Sequence, residues 1–247
     1  MEQLKIEKKI IGLQLHQGMI RVKSLIALTI IVFIPFGIMI WIRYHQSTGF
    51  ASRELIFYPL IFGGINILVI YLLKKFFLKE SLNDFNAKKG SFTIDLGWGL
   101  VLTCIYFILF SIGKLTLTGW LTFIPNGELV NLMLQMRSKP LLLVLWFGPV
   151  LWIGVALYEE LVRVYVLSSL WNLYKRKTWT HMVIIFTSFL MGFAHLSQGS
   201  YGIVTITIKS LAACYFFYKF RRLLPLIIAH VLYDGIQVAA FLITYPK

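Results

Sequence analysis

The sequence predicts an all-α membrane protein, a polytopic transmembrane helical bundle of about seven spans within a range of six to eight. Of the 247 residues, 58% are hydrophobic and 14% are charged, whereas soluble domains carry about 25% charged residues. Several apolar runs approach the ~20 residues that an α-helix needs to cross a bilayer. Because long unbroken runs outnumber alternating ones, a helical bundle is favoured over a β-barrel or soluble domains.

The chain begins with a basic segment, residues 1–23. Ile6, Ile10 and Leu13 recur there at helical spacing among five lysines and arginines. This pattern predicts a short amphipathic helix on the membrane surface.

Seven apolar runs predict the membrane spans, at residues 24–42, 55–73, 96–112, 141–173, 181–196, 202–218 and 224–243. The stretch 119–140 mixes polar and apolar residues around Pro125, so it predicts an interfacial or half-length helix, or part of an eighth span. The run 141–173 is too long for one straight crossing. We expect a kink near Gly148 and Pro149, because proline interrupts helical hydrogen bonding.

The basic residues predict the topology and the partners. Lys and Arg number five before the first span, two in residues 43–53, five in 74–95 and none in 197–201. This alternation predicts a multi-pass cell-membrane protein with a cytosolic N-terminus. Because the basic residues lie between the apolar runs, the net charge of +14 indicates contact with membrane lipids and not with nucleic acid. We divide the chain into residues 1–23, the membrane helices and interfacial segment 24–135, and a core at 136–247.

Cysteine and tryptophan carry little functional information. Cys104 and Cys214 lie in apolar segments without CxxC spacing, which predicts buried small side chains. Tryptophans in apolar runs are typical of interfacial or lipid-facing positions, and we expect this of Trp41, Trp98, Trp146 and Trp152.

Several polar residues interrupt the late spans. Glu159, Glu160 and Asp234 each cost about 2.5–3.5 kcal/mol at the centre of a membrane helix. His195 and His230 lie in the same set of spans. Because this cost must be offset, the five residues are candidates for a functional site.

Spacing groups these residues. Arg163 follows Glu159 by four positions and Glu160 by three, so it can reach either carboxylate along one helix face. His230 and Asp234 are also four apart and share a face. His195 follows Gly192 and Ala194, two small residues that let another helix approach. We therefore expect Glu159, Glu160, His195 and His230 to meet in one cavity.

This set of side chains suits hydrolysis. A carboxylate and an imidazole can hold and deprotonate water, while a second imidazole stabilises the oxyanion. The same residue types bind zinc, for which the candidate ligands are Glu159, His195 and His230. The sequence leaves the choice between a metal-free site and a zinc site open.

Structural explanations exist for each group. The glutamates with Arg163 are also typical of a charge cluster that stabilises helix packing, or of a helix end among headgroups. His230 and Asp234 are also typical of an interhelical hydrogen bond. Lys209 lies mid-span, where it is expected to pair with Glu160 or Asp234, or else with a substrate carboxylate.

Together the motifs resemble the CAAX protease and bacteriocin-processing family, also called CPBP or Abi, of intramembrane proteases, which includes type II CAAX prenyl endopeptidases. Its Glu-Glu-x-x-x-Arg, Phe-x-x-x-His and His-x-x-x-Asn/Asp motifs match "EELVR", "MGFAH" and "HVLYD" here, within about residues 140–243. Two departures occur. Arg163 comes one position early, and Met191 replaces the phenylalanine. The third motif ends in Asp234, where many relatives have asparagine.

The resemblance implies roles and a substrate class. Glu159 and His195 would activate water, His230 and Asp234 would stabilise the oxyanion, and Glu160 with Arg163 would orient the site. The substrate would be a membrane-associated peptide or protein, and the family includes bacterial members in peptide processing and bacteriocin immunity.

Two other functions stay open. One is a non-catalytic immunity or regulatory protein on the same scaffold. The other is a proton-coupled transporter that uses the buried carboxylates, against which no repeat is visible. The oligomeric state and the exact substrate are not predicted.

Overall fold

The computed structural model describes residues 18–19, 21–35, 37–38, 41, 54–125, 127–174 and 176–245. Most of the predicted N-terminal amphipathic segment and part of the first predicted span lie outside these residues. Within them the chain is helical and contains no strand. The predicted all-α class is confirmed.

Nine helices are labelled here in chain order. Helix α1 covers residues 21–35. The others are α2 (Glu54–Leu72, extended by a π-helical turn Leu73–Leu78), α3 (Phe92–Leu117), α4 (Gly127–Ser138), α5 (Pro140–Leu145), α6 (Tyr158–Trp171), α7 (Lys177–Phe193), α8 (Gly199–Phe220) and α9 (Leu224–Thr244). A π-helical segment, Trp146–Leu157, joins α5 to α6.

Five helical stretches of the described chain are long and apolar enough to cross a membrane. They are Glu54–Leu78, Phe92–Leu117, Pro140–Trp171, Leu196–Phe220 and Leu224–Thr244. This confirms a helical membrane bundle. The predicted span at 181–196 lies in α7, which has 17 residues, so the total of seven spans stays a prediction. Helix α4 has only 12 residues, as expected of a half-length helix.

The long fourth span is kinked where the sequence predicts it. Gly148 leaves the helical region with φ −88° and ψ −110°, and Pro149 follows inside the π-helical segment. Proline has no N–H to donate and its ring clashes with the preceding turn, so the helix changes direction here. The two glutamates of α6 lie beyond this kink.

Glycines set the closest helix contacts. A Cβ at Gly192 would meet the carbonyl oxygen of Ile203 at 2.5 Å, and one at Gly154 would meet the carbonyl carbon of Pro59 at 2.7 Å. Helix α8 therefore packs backbone-to-backbone against α7, as predicted from Gly192. This contact brings the end of α7 next to α8.

An ion pair anchors the start of α9. Arg222 pairs with the buried carboxylate of Asp95 in α3 and donates a hydrogen bond to the Lys88 carbonyl at 2.6 Å. The hydrogen bonds to Asp95 raise the pKa of Arg222, so the guanidinium keeps its charge. The start of α9, the helix that carries His230, is thus fixed against α3.

Two expectations for single residues are wrong. Cys104 is exposed on α3, although Cys214 is buried as predicted. Trp146 is 7% exposed and packs in the core instead of facing lipid, because the π-helical segment turns its side chain inward.

Candidate active site

The polar residues of the late helices surround one cavity of about 770 Å³. Its wall includes Glu159 of α6, His195 beyond α7, Lys209 of α8, and His230 and Asp234 of α9. Glu160 does not line this cavity; it lies behind the wall with 1% of its side chain exposed. Three of the four residues that we expected to converge therefore line one cavity. The fourth, Glu160, is buried behind its wall.

His230 lies at the centre of a carboxylate network. Its Nδ1 is 2.7 Å from Oε1 of Glu160, and its Nε2 is 3.1 Å from Oδ2 of Asp234. The same Nε2 is 3.8 Å from Oε2 of Glu159, beyond hydrogen-bond distance. The ring is 3% exposed. Its two nitrogens are thus held from opposite sides, which fixes its orientation.

Arg163 selects one of its two available carboxylates. It forms an ion pair with Glu160, three positions earlier, and its Nε donates a hydrogen bond to Oγ of Ser210 at 3.1 Å. The arginine motif is therefore satisfied one position early, with Glu160 and not Glu159 as the partner. Glu159 remains the more accessible carboxylate, with 24% of its side chain exposed.

His195 lies at the end of α7, not inside the span as expected. It follows Ala194, which caps α7, and precedes a short turn, Leu196–Gln198. Its Nδ1 is 2.9 Å from the carbonyl oxygen of Met191. Because a carbonyl can only accept, Nδ1 carries a hydrogen, and in the corresponding neutral tautomer the lone pair is on Nε2.

A tight turn positions His195 against α8. Gly199 has φ +80°, a value that favours glycine, and a Cβ there would collide with the Thr122 carbonyl. The same carbonyl accepts a hydrogen bond from the Tyr201 backbone at 3.1 Å. The segment before α4 is thereby held over the cavity.

The expectation that Lys209 pairs with Glu160 or Asp234 is wrong. Its Nζ forms no ion pair within 4 Å with any carboxylate of the described chain. Instead it lies 4.6 Å from the ring centroid of Tyr233 and 5.8 Å from that of Tyr106. The electron-rich ring faces attract the ammonium and take the place of a carboxylate.

The sequence alone missed three residues of this site. Tyr233 and Trp146 line the cavity, and Ser210 bonds Arg163. Tyr233 lies inside the third motif, and Ser210 directly follows Lys209 in an apolar run, so both had a weak sequence signal. Trp146 had none, because its inward orientation comes with the π-helical segment that it begins.

The donor set does not fit a zinc centre. Among the residues that the structure describes, no group of three or more His, Cys, Asp and Glu side chains has the arrangement to hold a metal ion. Of the candidate ligands Glu159, His195 and His230, the last has both ring nitrogens turned toward carboxylates. No metal is therefore assigned a role in the chemistry below.

Comparison with known protein families relates part of this chain to one of them. No curated protein and no solved structure matches this chain. Residues 140–236 match the family model described as "Type II CAAX prenyl endopeptidase Rce1-like". That segment holds all three motifs and every titratable residue assigned above. The resemblance is thus confirmed for residues 140–236, which are similar to the type II CAAX prenyl endopeptidase family.

Proposed function

We propose that the protein is an intramembrane endopeptidase that hydrolyses a peptide bond of a membrane-associated peptide or protein. The observation that carries this proposal is the cavity on which Glu159, His195 and His230 meet, inside a segment that matches a peptidase family. Ligand-binding cavities span roughly 300–1,000 Å³, and this one, at about 770 Å³, has room for a peptide segment.

Glu159 and His195 activate the attacking water in this proposal. Glu159 is 24% exposed, far more than its neighbour Glu160, and in the tautomer with the hydrogen on Nδ1, Nε2 of His195 offers a lone pair. One O–H of a water donates to each, which aims the oxygen lone pair at the substrate carbonyl. Glu159 takes a proton as the carbon–oxygen bond forms and returns it to the amine as the carbon–nitrogen bond breaks.

His230 and Asp234 form the opposite side of the reacting carbonyl. With both ring nitrogens protonated, Nδ1 of His230 donates to Glu160, and the N–H at Nε2 is shared between Asp234, at 3.1 Å, and the cavity that His230 lines. This N–H is the donor for the negative charge that develops on the carbonyl oxygen. Glu160 and Arg163 orient the ring from behind and do not touch the substrate.

The surroundings support a membrane-bound substrate. The cavity lies among apolar helices, with Phe110, Leu129 and Trp146 on its wall. Membrane lipids are therefore the medium through which the substrate arrives. Peptide maturation and self-immunity in a bacterium are the biological roles that we propose within this activity.

The test is turnover of a library of membrane-anchored peptides, including bacteriocin precursors and prenylated C-terminal peptides, by purified protein in nanodiscs. Glu159→Gln removes the proton acceptor while keeping its shape, and we expect the rate to fall about 10²–10⁴-fold. Glu128→Gln is the matched control, because Glu128 lines the same cavity but has no assigned role. Equal rates for the wild type and a folded Glu159→Gln variant refute the assigned chemistry. Biological activity without any cleavage by the wild type favours the non-catalytic scaffold.

A further inference from the structure

Lys209 is a buried cation that the proposed chemistry leaves unused. It is 8% exposed, lies mid-way along α8 and lines the cavity that holds Glu159 and His230. A lysine inside a membrane span opposes insertion and folding. The tyrosine rings beside it offset part of that cost through cation–π contacts. The position of this charge on the cavity wall points to a function.

The site is short of hydrogen-bond donors for an oxyanion. Both ring nitrogens of His230 already face carboxylates, at 2.7 Å and 3.1 Å. An ionised Asp234 can only accept hydrogen bonds. The developing negative charge would therefore meet one shared N–H, next to the Asp234 carboxylate that repels it. A second, positively charged donor is needed on this side of the cavity.

Lys209 meets that need. An ammonium has three donors, and its contact with the Tyr233 ring leaves N–H groups for the cavity. Tyr233, His230 and Asp234 all line this cavity, so the ring that holds the ammonium borders the same cavity as the oxyanion side of the site. The charge of Lys209 also acts on His230 and Asp234. It offsets the carboxylate that would otherwise oppose the oxyanion.

We propose that Lys209 is a further catalytic residue, whose ammonium donates a hydrogen bond to the carbonyl oxygen as it becomes negative. The inference rests on the proposed peptidase function and deepens it. When the tetrahedral intermediate collapses, the electron pair on that oxygen reforms the carbonyl and the amine leaves with the proton from Glu159. Lys209 donates the hydrogen bond and transfers no proton in this step.

The experiment is a double-mutant cycle in the nanodisc assay, with kcat and KM measured separately. Lys209→Met keeps the length and removes the charge, and we expect kcat to fall about 10²–10³-fold with KM within a few-fold of the wild type. Lys209→Arg keeps a charged donor, so its kcat should be at least tenfold higher than that of Lys209→Met. Asp234→Asn replaces an acceptor with an amide donor. In the Asp234→Asn background, Lys209→Met should therefore lower kcat by less than about tenfold.

The outcomes separate the two proposals. No cleavage by the wild type overturns the peptidase function and this inference together. Cleavage by the wild type with an unchanged kcat for Lys209→Met overturns this inference alone. A rise in KM alone also overturns this inference, because it would assign the ammonium to ground-state substrate binding. A loss of kcat from Lys209→Met that is equally large in the wild-type and Asp234→Asn backgrounds overturns it as well. If Lys209→Met does not fold, Lys209→Arg decides, because a kcat below 1% of the wild type would contradict a charged donor.

Discussion

Removing Arg163 should destabilise the protein strongly, because it leaves a buried carboxylate without its cation. The side chains of Arg163 and Glu160 are 2% and 1% exposed, so neither water nor lipid headgroups can replace the lost partner. Breaking such a pair costs about 3–5 kcal/mol. For a chain of this size each kcal/mol lowers Tm by roughly 2–4 °C, so Arg163→Met should lower Tm by roughly 6–20 °C.

The assay is thermal unfolding in detergent or nanodiscs, with two comparisons. Lys177→Met removes an exposed charge at the start of α7 and should change stability by less than about 0.5 kcal/mol. The double variant Arg163→Met with Glu160→Gln removes both charges, and its Tm should return to near the wild-type value, since neutral replacement of a buried pair costs little. A Tm that Arg163→Met leaves unchanged, or a double variant no more stable than the single one, refutes this account.

Three further predictions concern packing, the α9 anchor and metal dependence. Gly192→Val should destabilise the fold by about 1–3 kcal/mol or more, because the new side chain would meet α8. Gly97→Ala should not destabilise it, because a Cβ at Gly97 has no neighbouring atom within 4 Å. Thermal unfolding of the two variants tests this difference. Asp95→Asn removes the partner of Arg222 and should lower Tm and the rate together, unlike Glu159→Gln, which lowers the rate alone. Incubation with 1,10-phenanthroline should leave peptide turnover unchanged, because Glu159 and His195 activate the water; loss of turnover that zinc restores would contradict this.

The elements of this fold were predictable from the sequence to the extent that local patterns determine them. Apolar runs of spanning length gave the helices of the bundle, and Gly148 with Pro149 gave the kink. Helical spacing gave the Glu160–Arg163 and His230–Asp234 pairs, since residues three or four apart share a face. The family resemblance was carried by the same residues.

Contacts between helices were not predictable from the sequence in the same way. Spacing allowed Arg163 either glutamate, and only the packing of α8, which brings Ser210 to its Nε, selects Glu160. The expected carboxylate partner of Lys209 was wrong because tyrosines on two other helices surround its ammonium. Cys104 and Trp146 were misassigned because an apolar residue in a membrane span can face lipid or core equally well.

The position of His195 shows the same limit. The sequence placed it inside a span, but the helix ends at Phe193 and a turn follows. That turn ends at Gly199, whose backbone approaches the Thr122 carbonyl of a segment 77 positions earlier. A contact so distant along the chain leaves no periodic signal.

The most direct measurement of the central claim is isotope incorporation in a single turnover in ¹⁸O-labelled water. Purified protein in excess over a membrane-anchored peptide substrate is quenched after one cleavage, and the fragments are weighed by mass spectrometry. If Glu159 deprotonates water that attacks the carbonyl directly, the new C-terminal carboxylate carries one ¹⁸O atom in the first turnover, and the enzyme carries none. A product without ¹⁸O, with the label on Glu159, would show that the carboxylate attacks the carbonyl itself, and no fragment from folded wild-type protein would contradict the peptidase function.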